Sequence, residues 1–134
     1  MTGMFRLWLK FNAVGIAGLG VQLLALIVLT TGLGLHYLMA TLVAVETAVL
    51  HNFAWHERWT WAERTRQSTG GVIHRLIRFH LANGLISIGG NLVLMWLFVS
   101  RLCLHYFLAN LIAIGTCSIM NFLASDRLVF RKSL

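Results

Sequence analysis

Two arginines in matching surroundings hold the clearest chemistry in this chain. Arg58 closes the stretch Asn52-Phe53-Ala54-Trp55-His56-Glu57-Arg58-Trp59-Thr60-Trp61, and Arg127 holds the same place in Asn121-Phe122-Leu123-Ala124-Ser125-Asp126-Arg127-Leu128-Val129-Phe130, 69 residues later. A guanidinium can grip a phosphate through two parallel hydrogen bonds. The adjacent carboxylates, Glu57 and Asp126, would hold the arginines as salt-bridge partners when no phosphate is bound. Lys10 and Arg78, which precede Phe11 and Phe79, stand at the same expected depth and would complete a basic ring with twofold character. Anchoring by snorkelling to any phospholipid is the plainer reading of the same residues.

Deeper in the apolar segments lie uncharged amides. Asn52 and Asn121 fall six residues before the arginines, or roughly 9 Å along a helix axis. Gln22 and Asn91 pair near mid-segment. Such amides either bind a neighbouring helix, worth ~0.5–2 kcal/mol each, or line a path for a hydroxylated group. Glu46 is the acid inside an apolar run, and its counterpart 69 residues on is Gly115. An ionisable group at that depth is costly enough to point to function, as a proton-coupled switch or an acceptor for a hydroxyl. No metal site is expected: His51 and His56 are five apart, which turns them about 140° from each other on a helix. With four acids and no catalytic signature, neither an enzyme nor a cofactor is expected, and the chain lacks room for a nucleotide-sugar domain.

The elements that position these groups belong in a membrane. Hydrophobic residues make up 58% and charged residues 11% of 134 positions, without a proline, whereas about a quarter of a soluble domain is charged. Apolar runs cover 11–31, 36–55, 79–99 and 104–124, each near the ~20 residues that cross the hydrocarbon as a helix. The expected fold is therefore all-α, with four transmembrane helices. The formal charge of +7 does not indicate nucleic acid, because the cations flank the apolar runs and form no basic face. Arg6, Lys10, Arg58, Arg64, Arg66, Arg75, Arg78, Arg127, Arg131 and Lys132 fall on one side, and Arg101 on the other. That asymmetry predicts cytoplasmic N and C termini. Cys103 and Cys117 are read as packing residues, and the N-terminal run as a retained span rather than a cleaved signal.

Internal similarity organises the whole chain. At a shift of 69, Gly15 meets Gly84, Gly20 meets Gly89, Gln22 meets Asn91, Leu35-His36-Tyr37 meets Leu104-His105-Tyr106, and Ala40 meets Ala109. Lys10-Phe11 and Arg78-Phe79 match at 68, so one residue has been gained or lost just inside the first helix of a repeat. The chain reads as one domain over 1–134, made of two parallel helical hairpins at about 8–61 and 76–130 around a cytoplasmic loop at about 56–78. Ala40, Ala44 and Ala48, repeated as Ala109, Ala113 and Cys117, predict close helix approach. Residues 67–71 are expected to be a flexible tip, followed by an interfacial helix that leads into the third span. Trp55, Trp59 and Trp61 are assigned to an aromatic belt at one interface, Tyr37 and Tyr106 to the other.

A basic-Phe start followed by Val14-Gly15, four spans, and the 52–61 stretch together resemble the GtrA-like family of small polytopic membrane proteins, over nearly the whole chain. Trp61 stands where that family more often carries Phe. The resemblance implies a role in cell-surface polysaccharide synthesis, as a flippase for a polyprenyl-phosphate-linked monosaccharide in the cytoplasmic (inner) membrane. Arg58, Arg127, Lys10 and Arg78 would take the lipid phosphate, and Asn52, Asn121, Gln22, Asn91 and Glu46 would shelter the sugar. Four short helices hardly enclose such a route, so a homodimer or higher homo-oligomer is expected, embedded among membrane lipids. Two other functions are weighed: an accessory subunit that stabilises a membrane glycosyltransferase without moving lipid, and a proton-coupled exporter like the small multidrug-resistance proteins. The second ranks lower because the acid of those proteins lies in the first span and Glu46 in the second.

Overall fold

A computed structural model describes residues 2–131, and the protein is all-helical among them. The chain divides into two compact units, Met1–Arg66 and Gln67–Leu134. In the first, α1 (Thr2–Ile27) runs into a wide π-turn at Val28–Gly32, and α2 (Tyr37–Trp55) returns antiparallel to it and ends in a second π-turn, His56–Thr60. A short helix, α3 (Ala62–Arg66), follows. In the second unit α4 (Val72–Gly84) continues through a π-turn at Leu85–Gly90 into α5 (Asn91–Met95) and a further π-turn at Trp96–Arg101; α6 (Tyr106–Ala124) returns and ends in a π-turn at Ser125–Val129. Among the described residues four helices are long and apolar enough to cross a membrane: Gly3–Gly32, Leu38–Thr60, Val72–Arg101 and Leu108–Val129. The shorter ones, of 23 and 22 residues, span about 33–35 Å at 1.5 Å per residue, close to the hydrocarbon thickness.

Each hairpin closes along a row of small side chains. Ala40, Ala44 and Ala48 on α2 are 0%, 0% and 5% exposed, and Ala109, Ala113 and Cys117 on α6 are equally buried. Four-residue spacing puts each row on one helix face, and the absence of bulk lets the backbones approach, which in lipid supplies the packing energy that apolar burial cannot. Asn52 and Asn121 are the next members of these rows. Beyond the seams, leucines, isoleucines and valines are exposed along every span, as a lipid-facing surface requires.

The turns at the far ends match closely. Leu33 N donates to Val28 O at 3.1 Å and Leu35 N to Leu29 O at 3.0 Å; Leu102 N donates to Leu97 O at 3.1 Å and Leu104 N to Phe98 O at 2.9 Å. Both closures need a left-handed residue, which is Gly34 (φ 67°) in one and Cys103 (φ 55°) in the other. His36 then caps α2, its Nδ1 accepting from Leu38 N at 3.3 Å. Cys103 is exposed in this turn, so its expected packing role is corrected; Cys117 is buried. A left-handed non-glycine residue costs about 1–2 kcal/mol. Cys103→Gly is accordingly expected to raise the unfolding free energy by about 1 kcal/mol, and Gly34→Cys to lower it by a similar amount, in denaturant titrations in detergent.

Arg75 organises the turn that opens the second unit. Arg75, 8% exposed, donates from Nη1 to Gly70 O at 2.7 Å and to Ser68 Oγ at 3.3 Å, while Gly70 N donates to Ser68 Oγ at 3.2 Å. Ser68 and Gly70 thus belong to a hydrogen-bonded turn. As expected, the helix from Val72 continues directly into the third span. Lys132 and the side chains of Tyr37 and Tyr106, which were assigned to the membrane interfaces, lie outside the described residues.

Candidate functional site

The end of each hairpin that carries the arginine is built the same way. A helix terminus leaves its last carbonyls without intrahelical donors, and a cationic side chain is well suited to fill the gap. Lys10 Nζ donates to Trp59 O at 3.4 Å, and Arg78 Nη1 donates to Leu128 O at 3.3 Å. Trp59 and Leu128 are the residues next to Arg58 and Arg127. Each hairpin therefore places a tethered cation beside an exposed arginine at the exit of its second span. Lys10 Nζ also lies 5.2 Å from the Trp59 ring centroid, a favourable cation–π position.

Beneath these cations lies an aromatic plug. Phe11 stacks on His56 with centroids 4.9 Å apart and planes at 9°, and Trp61 meets both edge-on, at 5.2 Å from His56 and 6.2 Å from Phe11. His56 Nδ1 and Thr60 Oγ1 are 3.0 Å apart. In the second unit the plug is smaller: Phe79 and Phe130 pair at 6.5 Å, with Ser125 and Val129 in the places of His56 and Thr60. Trp61 is 1% exposed. Its assignment to the aromatic belt is therefore corrected: Trp55 (49%) and Trp59 (42%) lie at the surface, but Trp61 is core. The reason is the π-turn, which rotates the chain after Thr60 so that Trp61 N reaches His56 O at 2.9 Å and the indole swings under the hairpin.

The predicted acid–arginine pairs divide between surface and interior. Arg127 is exposed and Asp126 is 7% exposed; Arg58 is exposed and Glu57 half-buried. Consecutive helical residues are rotated by about 100°, which accounts for the divergence. Thr65 Oγ1 ties α3 to the Glu57 carbonyl at 2.9 Å.

One turn and more above this end lie the amides, and each meets a small residue on the facing helix. Asn52 packs on Gly18, where an added Cβ would come 2.7 Å from Asn52 Cγ and 2.8 Å from Nδ2; His51 Nδ1 lies 3.3 Å from Asn52 Oδ1 and is its donor. Asn121 Nδ2 donates to Ser87 Oγ at 3.0 Å. Gly18→Ala is expected to destabilise the first hairpin by about 1–3 kcal/mol through this overlap. Gly18→Ser should lose at least as much, since its Cβ meets the same Asn52 carbonyl oxygen and its Oγ adds bulk; thermal unfolding in detergent compares the two. Gln22 and Asn91 are half-buried on α1 and α5. Glu46 is not brought to Asn52: two residues from both Ala44 and Ala48, it is exposed on the opposite face of α2. Sequence reasoning gives Cys117 a packing role and does not reach Ser87 or Asn83; comparing Gly18 with Ser87 and Val14 with Asn83 across the repeat is the signal that finds them.

Comparison with known proteins agrees with this architecture. Residues 10–130 match the family described as GtrA/DPMS, transmembrane domain. The chain is also similar to a dolichol-phosphate mannosyltransferase of Pyrococcus furiosus, 34% identical over 105 residues, which covers 78% of this chain and 28% of that protein. The match thus spans little more than a quarter of the relative's length. With four apolar helices, two cation-capped hairpin ends and a family match over nearly all of its length, the chain is a multi-pass membrane protein that belongs to the GtrA/DPMS transmembrane-domain family.

Proposed function

We propose that this protein moves a polyprenyl-phosphate-linked monosaccharide across the cytoplasmic membrane, with both termini on the cytoplasmic side. One observation carries the reading: at the same end of each hairpin an exposed guanidinium, Arg58 or Arg127, stands beside a cation fixed on the neighbouring carbonyl. The fixed cation sets the local positive potential, and the exposed arginine remains available to a phosphate oxygen. Lipid-facing leucine and isoleucine flanks suit the prenyl chain, and the second hairpin's amides further in, Asn91 and Asn121, suit the sugar. The chain's own residues bind and orient in this scheme, and no bond is made or broken. A homodimer or larger homo-oligomer would enclose the route.

The test is direct. Purified protein is reconstituted into vesicles carrying labelled polyprenyl-phosphate glucose in one leaflet, and the label reaching the other leaflet is followed. Transfer above protein-free vesicles is expected; label that stays in its original leaflet sinks the proposal. The name of the Pyrococcus relative favours a second reading, in which this domain anchors and stabilises a separate membrane glycosyltransferase. Stable co-purification with such an enzyme, combined with no lipid transfer by the isolated chain, would select it.

A further inference from the structure

We infer that the seam between α4–α5 and α6 in the second unit is a hydroxyl-accepting subsite for the carried sugar, and that the corresponding seam of the first unit is not. The inference deepens the translocation reading and rests on it. It starts from two atoms: Asn91 Oδ1 and Asn121 Oδ1 are buried and have no hydrogen-bond partner. An amide carbonyl shut away from water without a donor is costly, and a folded protein keeps one where something else supplies the donor.

The two atoms lie on one track. Asn121 is tied through its Nδ2 to Ser87, and Asn91 follows Ser87 by one helical turn, on the same face. Between them Gly90 abuts Cys117, whose Sγ a Cβ at Gly90 would approach to 3.0 Å. The Cys117 thiol donates to Ile86 O at 3.6 Å, a carbonyl of the wide turn Leu85–Gly90. Wide turns of this kind recur at functional sites, since they open the backbone and shift side chains out of α-helical register. In the first unit the matching stretch is uninterrupted α-helix within Thr2–Ile27.

The first unit also closes the amide that the second leaves open. Asn52 Oδ1 has His51 as its donor and is packed against Gly18. At the position of His51 the second unit has Met120, which carries no N–H or O–H donor. Along the same seam Val14, Gly18, Ala48 and Val49 give way, 69 residues on, to Asn83, Ser87, Cys117 and Ser118. Four apolar positions have become polar on one side of the duplication. Interhelical adhesion alone does not account for this, because the first seam closes without them.

The chemistry of the two unpartnered oxygens defines what they take. Both are carbonyl oxygens, so the ligand must present donors, and sugar hydroxyls do. A carboxylate or phosphate would set acceptor against acceptor. The subsite therefore selects a neutral hexose over a uronate, while the phosphate remains at the arginines.

Binding is measured on the full chain in nanodiscs with three radiolabelled probes: polyprenyl-phosphate glucose, polyprenyl-phosphate glucuronate, and polyprenyl phosphate without sugar. Asn91→Leu is the principal variant, because the oxygen it removes holds no bond in the fold. It is expected to weaken the glucose lipid about tenfold and to leave bare polyprenyl phosphate unchanged. Wild type should prefer the glucose lipid to the glucuronate, and Asn52→Leu should show no sugar-specific loss. Equal losses for the sugar-bearing and bare lipids, or no loss for either, would overturn the subsite, as a water-filled gap would produce. Leaflet transfer in the same preparations separates the two proposals. Sugar-specific binding that follows Asn91 without transfer keeps the subsite and removes translocation; transfer without sugar discrimination does the reverse.

Discussion

Removing both exposed guanidiniums, in the double variant Arg58→Ala, Arg127→Ala, is expected to weaken binding of a polyprenyl-phosphate lipid by about two orders of magnitude, since each charge-assisted contact is worth roughly 1.5–3 kcal/mol. Each single variant should show that loss at its own hairpin and keep the affinity of the other, because the two guanidiniums lie on separate units. Arg58→Lys distinguishes charge from geometry: lysine keeps the charge and loses the fork, so partial recovery is expected. Lys10→Met and Arg78→Met should behave differently. Those cations occupy the carbonyls of Trp59 and Leu128, so their loss frays the ends of the second spans and lowers stability as well as binding. If the double alanine variant binds the lipid phosphate as tightly as wild type, with the same salt dependence, the arginines serve only to anchor the protein.

Much of this arrangement was readable from residue types. Length and apolarity placed four spans to within about eight residues of their observed bounds, and the alanine rows marked the faces that pack. The positions of Lys10, Arg58, Arg78 and Arg127 at hairpin ends followed from the same periodicity. What was not legible depends on backbone detail. A π-turn has no residue signature, so the rotation that carries Trp61 inward could not be seen, and a tryptophan just past an apolar run reads as belt. Arg75 sits among basic residues that do face water, and only the carbonyl of Gly70 distinguishes it. The single-residue offset between Lys10 and Arg78 on one side and Gly15 and Gly84 on the other was visible as a change of shift. The offset falls between Phe79 and Gly84, just ahead of the wide turn at Leu85–Gly90. The hydroxyl of Ser87 carries no signal of its own and the thiol of Cys117 reads only as packing, because such residues are common in membrane helices and acquire meaning only from the atom they face.

Trp61→Ala is expected to cost about 3–5 kcal/mol of unfolding free energy, the range for losing a fully buried large aromatic. Trp61 touches the rings of both Phe11 and His56, so its loss opens a cavity where α1, the end of α2 and the start of the connection meet. Trp55→Ala and Trp59→Ala, at surface positions 49% and 42% exposed, should each cost less than about 1 kcal/mol, apart from the cation–π contact that Trp59 makes with Lys10. Trp61→Phe should fall between. Phenylalanine serves at the matching position, Phe130, but there it closes on Phe79 beside the smaller Ser125, whereas beside His56 it leaves the space of the indole's second ring unfilled. Denaturant titration in one detergent ranks the four variants. Equal, small losses at all three tryptophans would return Trp61 to the interface and remove the plug as the element that holds the arginine-bearing end of the first hairpin in place.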